Sequence, residues 1–266
     1  MCELFGASAA RPLSLRRWLE PFRARGGATA DNPDGWGLAS WTAGTLQLEK
    51  APEPGARSAR LARLANEVRA EIVIGHVRKA RLPPVAGLLN THPFAHDCCG
   101  RQWVFAHNGL VPDIIGTASS GAVRRPRGQT DSEHAFCRLL AEIAGCYEKP
   151  AEGNWMKHLA HLAGSIAALG KFNFLLSDGR YLLAYGHDRL HYLERTGSGT
   201  DLGLIATEPL DGEGWRPFEP GELRAYGRGA LLLRLIPARE EAASTAAAAP
   251  ESPNCGHVDA VAVAAA

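Results

Sequence analysis

The chain has 266 residues, 45% of them hydrophobic and 21% charged, and its 29 Lys plus Arg nearly cancel its 28 Asp plus Glu to leave a formal charge of +1. This apolar content is that of a globular protein and excludes disorder over most of the length. The charge balance leaves no electrostatic footprint for nucleic acid or for an anionic membrane.

Cys2–Ala7 reads as a short strand, and Ser14–Phe22 as a helix opened by Ser14 as its N-cap. Arg11, Arg16 and Arg17 break any apolar core of a signal peptide, and nowhere do about 20 apolar residues run together as a bilayer span requires. A cytoplasmic protein is the expectation. Gly37–Trp41 and Thr45–Lys50 make a hairpin across a turn containing Gly44. Leu61, Leu64 and Val68 put a helical stripe on Arg57–Val68, and the β-branched run Glu71–Val77 is a buried strand. Gln102–Ala106 is another strand, running straight into His107-Asn108-Gly109. Arg124, Arg125 and Arg127 read as a solvated loop. Ser132–Ile143 and Trp155–Leu169 are helices. From Lys171 the pattern is mostly strand: Phe172–Ser177, an Asp178-Gly179 turn, Tyr181–Tyr185, Leu190–Leu193, Leu202–Ala206 and Ala230–Ile236. Mostly antiparallel strands with helices in blocks give an α+β class, helix layers packed on sheets. Residues 2–238 read as one domain, and the Ala-rich stretch 239–266 as a disordered tail with too few large apolar residues to offset its chain entropy.

Six cysteines without repeating spacing do not make a disulfide framework. Cys98-Cys99 are adjacent and lack the paired C-x₂-C spacing of a zinc site, and Cys137 and Cys146 fall on an apolar helical pattern as small core residues. Cys2 differs, because removal of Met1 would give it a free α-amine. With a reference pKa near 7.7–8.0, that amine is a general base beside a thiol nucleophile on the same residue. Taken alone, a cysteine at position two is more simply a small residue in a first strand.

The motifs that follow strengthen the catalytic reading. Met1-Cys2-Glu3-Leu4-Phe5-Gly6, Asp34-Gly35-Trp36-Gly37, Gly75-His76-Val77-Arg78, Asn90-Thr91-His92-Pro93-Phe94, Phe105-Ala106-His107-Asn108-Gly109 and Thr130-Asp131-Ser132-Glu133 succeed one another along the first half of the chain. In content and order they resemble the class II glutamine amidotransferases, which are N-terminal-nucleophile hydrolases. The resemblance implies a four-layer αββα sandwich with Cys2 emerging at a sheet edge. It implies further that the Asn108 amide and the Gly109 N–H form an oxyanion hole, for which preorganised donors are needed, that Arg78 binds the substrate α-carboxylate in a bidentate fork, that Asp131 accepts from the α-ammonium, and that His92 shapes the glutamine pocket.

Each residue also has a plainer reading. Asn-Gly is the favoured pair of a hairpin turn, Arg78 could be a solvated strand end, Thr130, Asp131 or Ser132 could cap the helix that follows, and His92 could be structural. Two segments depart from the family pattern. Lys79-Ala80-Arg81 puts a large cation where many relatives have a threonine, and Asp31-Asn32-Pro33 replaces a histidine that precedes Asp-Gly-Trp-Gly in many close relatives.

Three readings of function follow. The chain is a glutaminase that passes ammonia to a synthase or acceptor protein in trans, a stand-alone hydrolase of another γ-glutamyl amide or peptide, as in glutathione breakdown and ergothioneine formation, or a non-catalytic interaction module that keeps the fold. The complete set Cys2, Arg78, Asn108, Gly109 and Asp131 argues against the third. No cofactor or metal is expected, and neither nucleic acid nor membrane is an expected partner.

Overall fold

Strand β1 (Glu3–Ser14) is buried on both faces over its first seven residues, so its sheet is covered on both sides. In the computed structural model, which describes residues 2–81, 87–116, 125–149 and 154–237, that cover is a helix pair on one side and a second sheet on the other. Phe5, Ala7 and Ala9 share a core with Trp18, Leu19 and Phe22 of helix α1 (Arg16–Ala24) and with Leu61 and Leu64 of helix α2 (Ala59–Glu67). Leu4, one residue out of phase as strand periodicity requires, joins the core between the sheets.

The first sheet has seven strands in the order β11 (Arg216–Pro217), β9 (His191–Arg195), β10 (Leu202–Ala206), β1, β4 (Arg69–Val77), β2 (Trp36–Thr42) and β3 (Thr45–Ala51). The second has six, in the order β13 (Ala230–Leu235), β12 (Glu222–Gly227), β8 (Leu182–Gly186), β7 (Lys171–Ser177), β6 (Arg101–Leu110) and β5 (Phe94–Cys98). All pairings are antiparallel. Helices α3 (Asp131–Cys146) and α4 (Trp155–Ala167) back the second sheet, packing Phe136, Leu139 and Leu159 against Phe105, Phe172 and Phe174. Between the sheets lie Ile74, Val104, Ala106, Leu175 and Ile205. The layers are therefore α, β, β, α, the α+β sandwich expected above.

Several elements differ from the sequence reading. Ser14 caps no helix: it pairs with Arg69 at the end of β1, which continues past an irregularity between Ser8 and Leu13, and α1 starts after Leu15 without a side-chain cap. The second helix begins only after Ser58, whose hydroxyl accepts from Leu61 N at 3.3 Å. Strands β5 and β12 were not expected. In β12, Glu222 and Arg224 look like solvated residues but are buried, with Arg224 Nε donating to Glu222 Oε1 at 2.8 Å and Arg224 Nη1 to Glu194 Oε1 at 2.7 Å. The tail at 239–266 and Arg124 lie outside the described residues. Cys137 and Cys146 are core residues of α3, as expected. Among the described residues no helix is long and apolar enough to cross a membrane.

Candidate active site

Four elements end at one edge of the sandwich and bring the sequence-predicted residues together. Cys2 precedes β1, Arg78 follows β4, Asn108 and Gly109 lie near the end of β6, and Asp131 opens α3. All five, together with His92 from the loop before β5, line a single cleft that also takes in Lys79, Arg81, His107 and Thr130.

The β1–β4 ladder runs from Ser14 to Glu3, which sits opposite Val77, so Cys2 reaches the backbone of the next turn of chain. There Lys79 N donates to Cys2 Sγ at 3.2 Å, and the thiol lies 3.4 Å from Lys79 O. Burial raises the thiol pKa, and the Lys79 N–H and the Arg78 charge oppose that shift without reversing it. The resting sulfur is thus the neutral thiol. Glu3 anchors the same strand end through Arg25 Nη1 at 3.2 Å.

The Asp-Gly-Trp-Gly segment holds the Arg78 backbone. Arg78 N donates to Gly35 O at 2.8 Å, Asp34 N to Arg78 O at 3.0 Å, and Ala80 N to Asp34 Oδ2 at 2.8 Å. Gly37 is required for a different reason: a Cβ there would stand 2.2 Å from His92 O. The two segments that carry the departures are joined by Lys79, whose Nζ pairs with Asp31 Oδ2 at 2.9 Å. Asp31 is exposed, so the pair contributes little to stability.

Asn108 and Gly109 are not a hairpin turn. They continue β6 and pair with Asn173 and Phe172 of β7. Gly109 does not adopt positive φ; it is needed because a Cβ would lie 1.8 Å from Lys171 O. Asn108 Nδ2 donates to Thr207 Oγ1 at 3.3 Å, and the same hydroxyl accepts from Leu4 N at 2.9 Å. Thr207 N in turn donates to Leu4 O at 3.1 Å. Thr207 therefore ties the strand that carries Cys2 to the amide on the opposite sheet. Sequence reading missed it, since it follows an unremarkable apolar run and gains meaning only once β10 is known to pair with β1.

Thr130 is the N-cap of α3, its hydroxyl accepting from Glu133 N at 3.2 Å, which frees Asp131 from that task. The Asp131 carboxylate accepts from Val111 N at 2.6 Å on Oδ2 and from Ser132 N at 2.8 Å on Oδ1, and the Ser132 hydroxyl also lies 3.3 Å from Oδ1. Oδ2, with a single donor, keeps a lone pair for another. His107 Nε2 faces the Lys171 carbonyl at 3.1 Å, which can only accept, so the ring is protonated there and takes the Ser132 hydroxyl at Nδ1, 2.9 Å away. Burial lowers its pKa and keeps it neutral.

His92 packs between His76 and Phe94, with ring centroids 4.2 and 4.4 Å away and both pairs tilted. Burial pushes His92 well below the usual histidine range and His76 down to about 3, so both rings are neutral. Lys50, a second residue the sequence reading missed, clamps this loop by donating to Thr91 O at 2.7 Å and Pro93 O at 3.2 Å. Burial lowers its ammonium to about 8.

Residues 1–198 match the family model for class-II glutamine amidotransferases. The chain belongs to that family. YafJ of Escherichia coli K12, provisionally named a glutamine amidotransferase, is 35% identical over 256 residues, covering 86% of this chain and 98% of its own. A crystal structure from Pseudomonas aeruginosa PA01, of a protein with the same provisional assignment, is 30% identical with a TM-score of 0.65 and covers 87% of this chain and all of its own. The glutamine phosphoribosylpyrophosphate amidotransferase of B. subtilis superposes with a TM-score of 0.63 over 86% of this chain and 48% of its own. At 15% identity that likeness bears on the fold alone.

Proposed function

We propose that this cleft hydrolyses the γ-amide of glutamine through Cys2 and releases ammonia and glutamate. The observation that carries the proposal is the convergence on one cleft of a thiol, an amide with a neighbouring glycine N–H, a guanidinium and a carboxylate, each from a different element. With Met1 removed, the Cys2 α-amine takes the thiol proton as Sγ attacks the γ-carbonyl carbon. The oxyanion that forms is stabilised by Asn108 and the Gly109 N–H. Collapse of the tetrahedral adduct breaks the C–N bond, the amine returns the proton to the leaving nitrogen, and ammonia departs from a γ-glutamyl thioester. Water, deprotonated by the same amine, then releases glutamate and restores the thiol. Arg78 and Asp131 hold the α-carboxylate and α-ammonium. The ammonia goes to water or to a synthase or acceptor protein in trans.

Arg81 at the cleft supports a second reading, a γ-glutamyl peptide with another carboxylate beyond the scissile bond. Mass-spectrometric scoring of a panel of γ-glutamyl compounds tests both. Stoichiometric ammonia and glutamate from glutamine, absent in Cys2→Ala, is the expected result. Turnover of γ-glutamyl peptides with glutamine untouched would select the second reading, and no turnover of any member would refute both.

A further inference from the structure

The turn joining β5 to β6 carries two adjacent cysteines that the proposed reaction does not use. We propose that Cys98 and Cys99 are a thiol-modification site, at which a hydroperoxide converts the pair to a reversible disulfide between neighbouring residues.

Cys98 and Arg101 close the ladder of this hairpin, leaving Cys99 and Gly100 as a two-residue loop with φ of 56° and 74°. A loop with both residues at positive φ is the type I′ turn, which favours Asn-Gly or Gly-Gly. Gly100 fits that preference and Cys99 does not, since a residue with a Cβ other than Asn or Asp seldom enters this region. With the backbone left-handed at Cys99, the two sulfurs stand 3.0 Å apart. A disulfide bond measures about 2.03–2.05 Å, so closure asks for a movement of roughly 1 Å.

The environments of the two sulfurs divide the labour. Cys99 is exposed, whereas Cys98 is buried, its Sγ 3.7 Å from Leu140 O of α3 and its carbonyl accepting from Trp103 Nε1 at 3.1 Å. An accessible thiol beside a resolving thiol is the arrangement of a peroxide-responsive site. The Cys99 sulfur attacks a peroxide oxygen and the O–O bond breaks, giving a sulfenic acid and one water. Cys98 Sγ then attacks Cys99 Sγ, the S–O bond breaks, the Cys98 proton leaves with the hydroxyl as a second water, and the S–S bond forms. Two thiols lose two electrons and two protons, and one hydrogen peroxide becomes two waters. Neighbouring Cα atoms are about 3.80 Å apart, inside the range of about 4.4–6.8 Å that unstrained disulfides span, so the ring is strained and readily opened by a dithiol. The turn lies at the opposite end of β6 from Asn108, seven residues or roughly 23 Å along the strand, so oxidation here is separate from the chemistry at Cys2.

The test treats the full-length protein with stoichiometric hydrogen peroxide and follows intact mass and peptide maps. The expected result is a loss of two hydrogens confined to the peptide containing Cys98 and Cys99, restored by dithiothreitol. Cys98→Ser should stop at a Cys99 sulfenic acid that dimedone captures, and Cys99→Ser should leave Cys98 reduced while turnover at the cleft is unchanged. A disulfide between two chains through Cys99, sulfinic acid at Cys99 in the wild type, or a reduced pair after every other thiol has reacted would each overturn the proposal.

Discussion

Thr207→Val keeps the shape of a wholly buried side chain and deletes its hydroxyl. Two donors lose their acceptor at once, Leu4 N at 2.9 Å and Asn108 Nδ2 at 3.3 Å. Leaving the buried Leu4 N–H unsatisfied costs about 1–3 kcal/mol. For a chain of this size each kcal/mol moves the melting temperature by about 2–4 °C, so the variant should melt roughly 2–12 °C lower. Its effect on rate arises separately, through Asn108. Removing an oxyanion donor outright lowers kcat by about 10²–10³. A donor still present but no longer held in place should lose less, about tenfold, which corresponds to about 1.4 kcal/mol of transition-state stabilisation. KM should stay near the wild-type value, because Arg78 and Asp131 are untouched. Steady-state ammonia release and thermal unfolding, measured on wild type, Thr207→Val and Thr207→Ser, separate the two effects. The serine variant keeps the acceptor and should recover both rate and stability. A valine variant with a lowered melting temperature and an unchanged kcat would show that Thr207 only ties strands together, refuting its positioning of Asn108.

Asn108→Ala should lower kcat by about 10²–10³ at nearly constant KM, while Arg78→Lys should chiefly raise KM, since the α-carboxylate is held alike in ground and transition states; steady-state kinetics that fail to separate the two variants would undo both assignments. Lys50 titrates near 8 when folded and about 10.4 when unfolded, so between these values the unfolded chain holds the extra proton and Lys50 makes stability rise with pH. Urea unfolding at pH 8 and pH 10 should therefore show a smaller rise, or a larger fall, in Lys50→Met than in wild type, and equal changes would contradict the burial of that ammonium. Arg81→Thr should lower kcat/KM for γ-glutamyl peptides by a few-fold and spare glutamine, with the difference shrinking at high salt; an equal loss on both substrates would exclude a second-carboxylate role.

The motifs in the first half of the chain were legible because each is a short local run whose chemistry is carried by residue type. Their arrangement was legible only in part. Asn108-Gly109 has the composition of a turn, and what makes it strand is pairing with Asn173 and Phe172, more than 60 residues away. Thr130, Asp131 and Ser132 can all cap a helix, and only the bond from Glu133 N to the Thr130 hydroxyl shows which one does. Thr207 and Lys50 carry no local signal. One acts through a strand pairing of distant segments, and the other is a lysine whose stem crosses to a loop more than 40 residues on. Strand β12 was hidden for a related reason: Glu222 and Arg224 interrupt its apolar pattern, and their burial depends on Arg224 donating to both Glu222 and the distant Glu194. The two segments that depart from the family pattern were visible separately, but the Asp31–Lys79 pair that joins them was not.

The proposed reaction depends on Cys2, with its own free amine, as the nucleophile. Its most direct test is intact mass with peptide mapping of active protein before and after treatment with the glutamine analogue 6-diazo-5-oxo-norleucine. The expected outcome is a chain that begins at Cys2 and takes up a single adduct on that residue, with activity lost in proportion to labelling. Active protein that retains Met1, or inactivation with the adduct on any other cysteine, would contradict it.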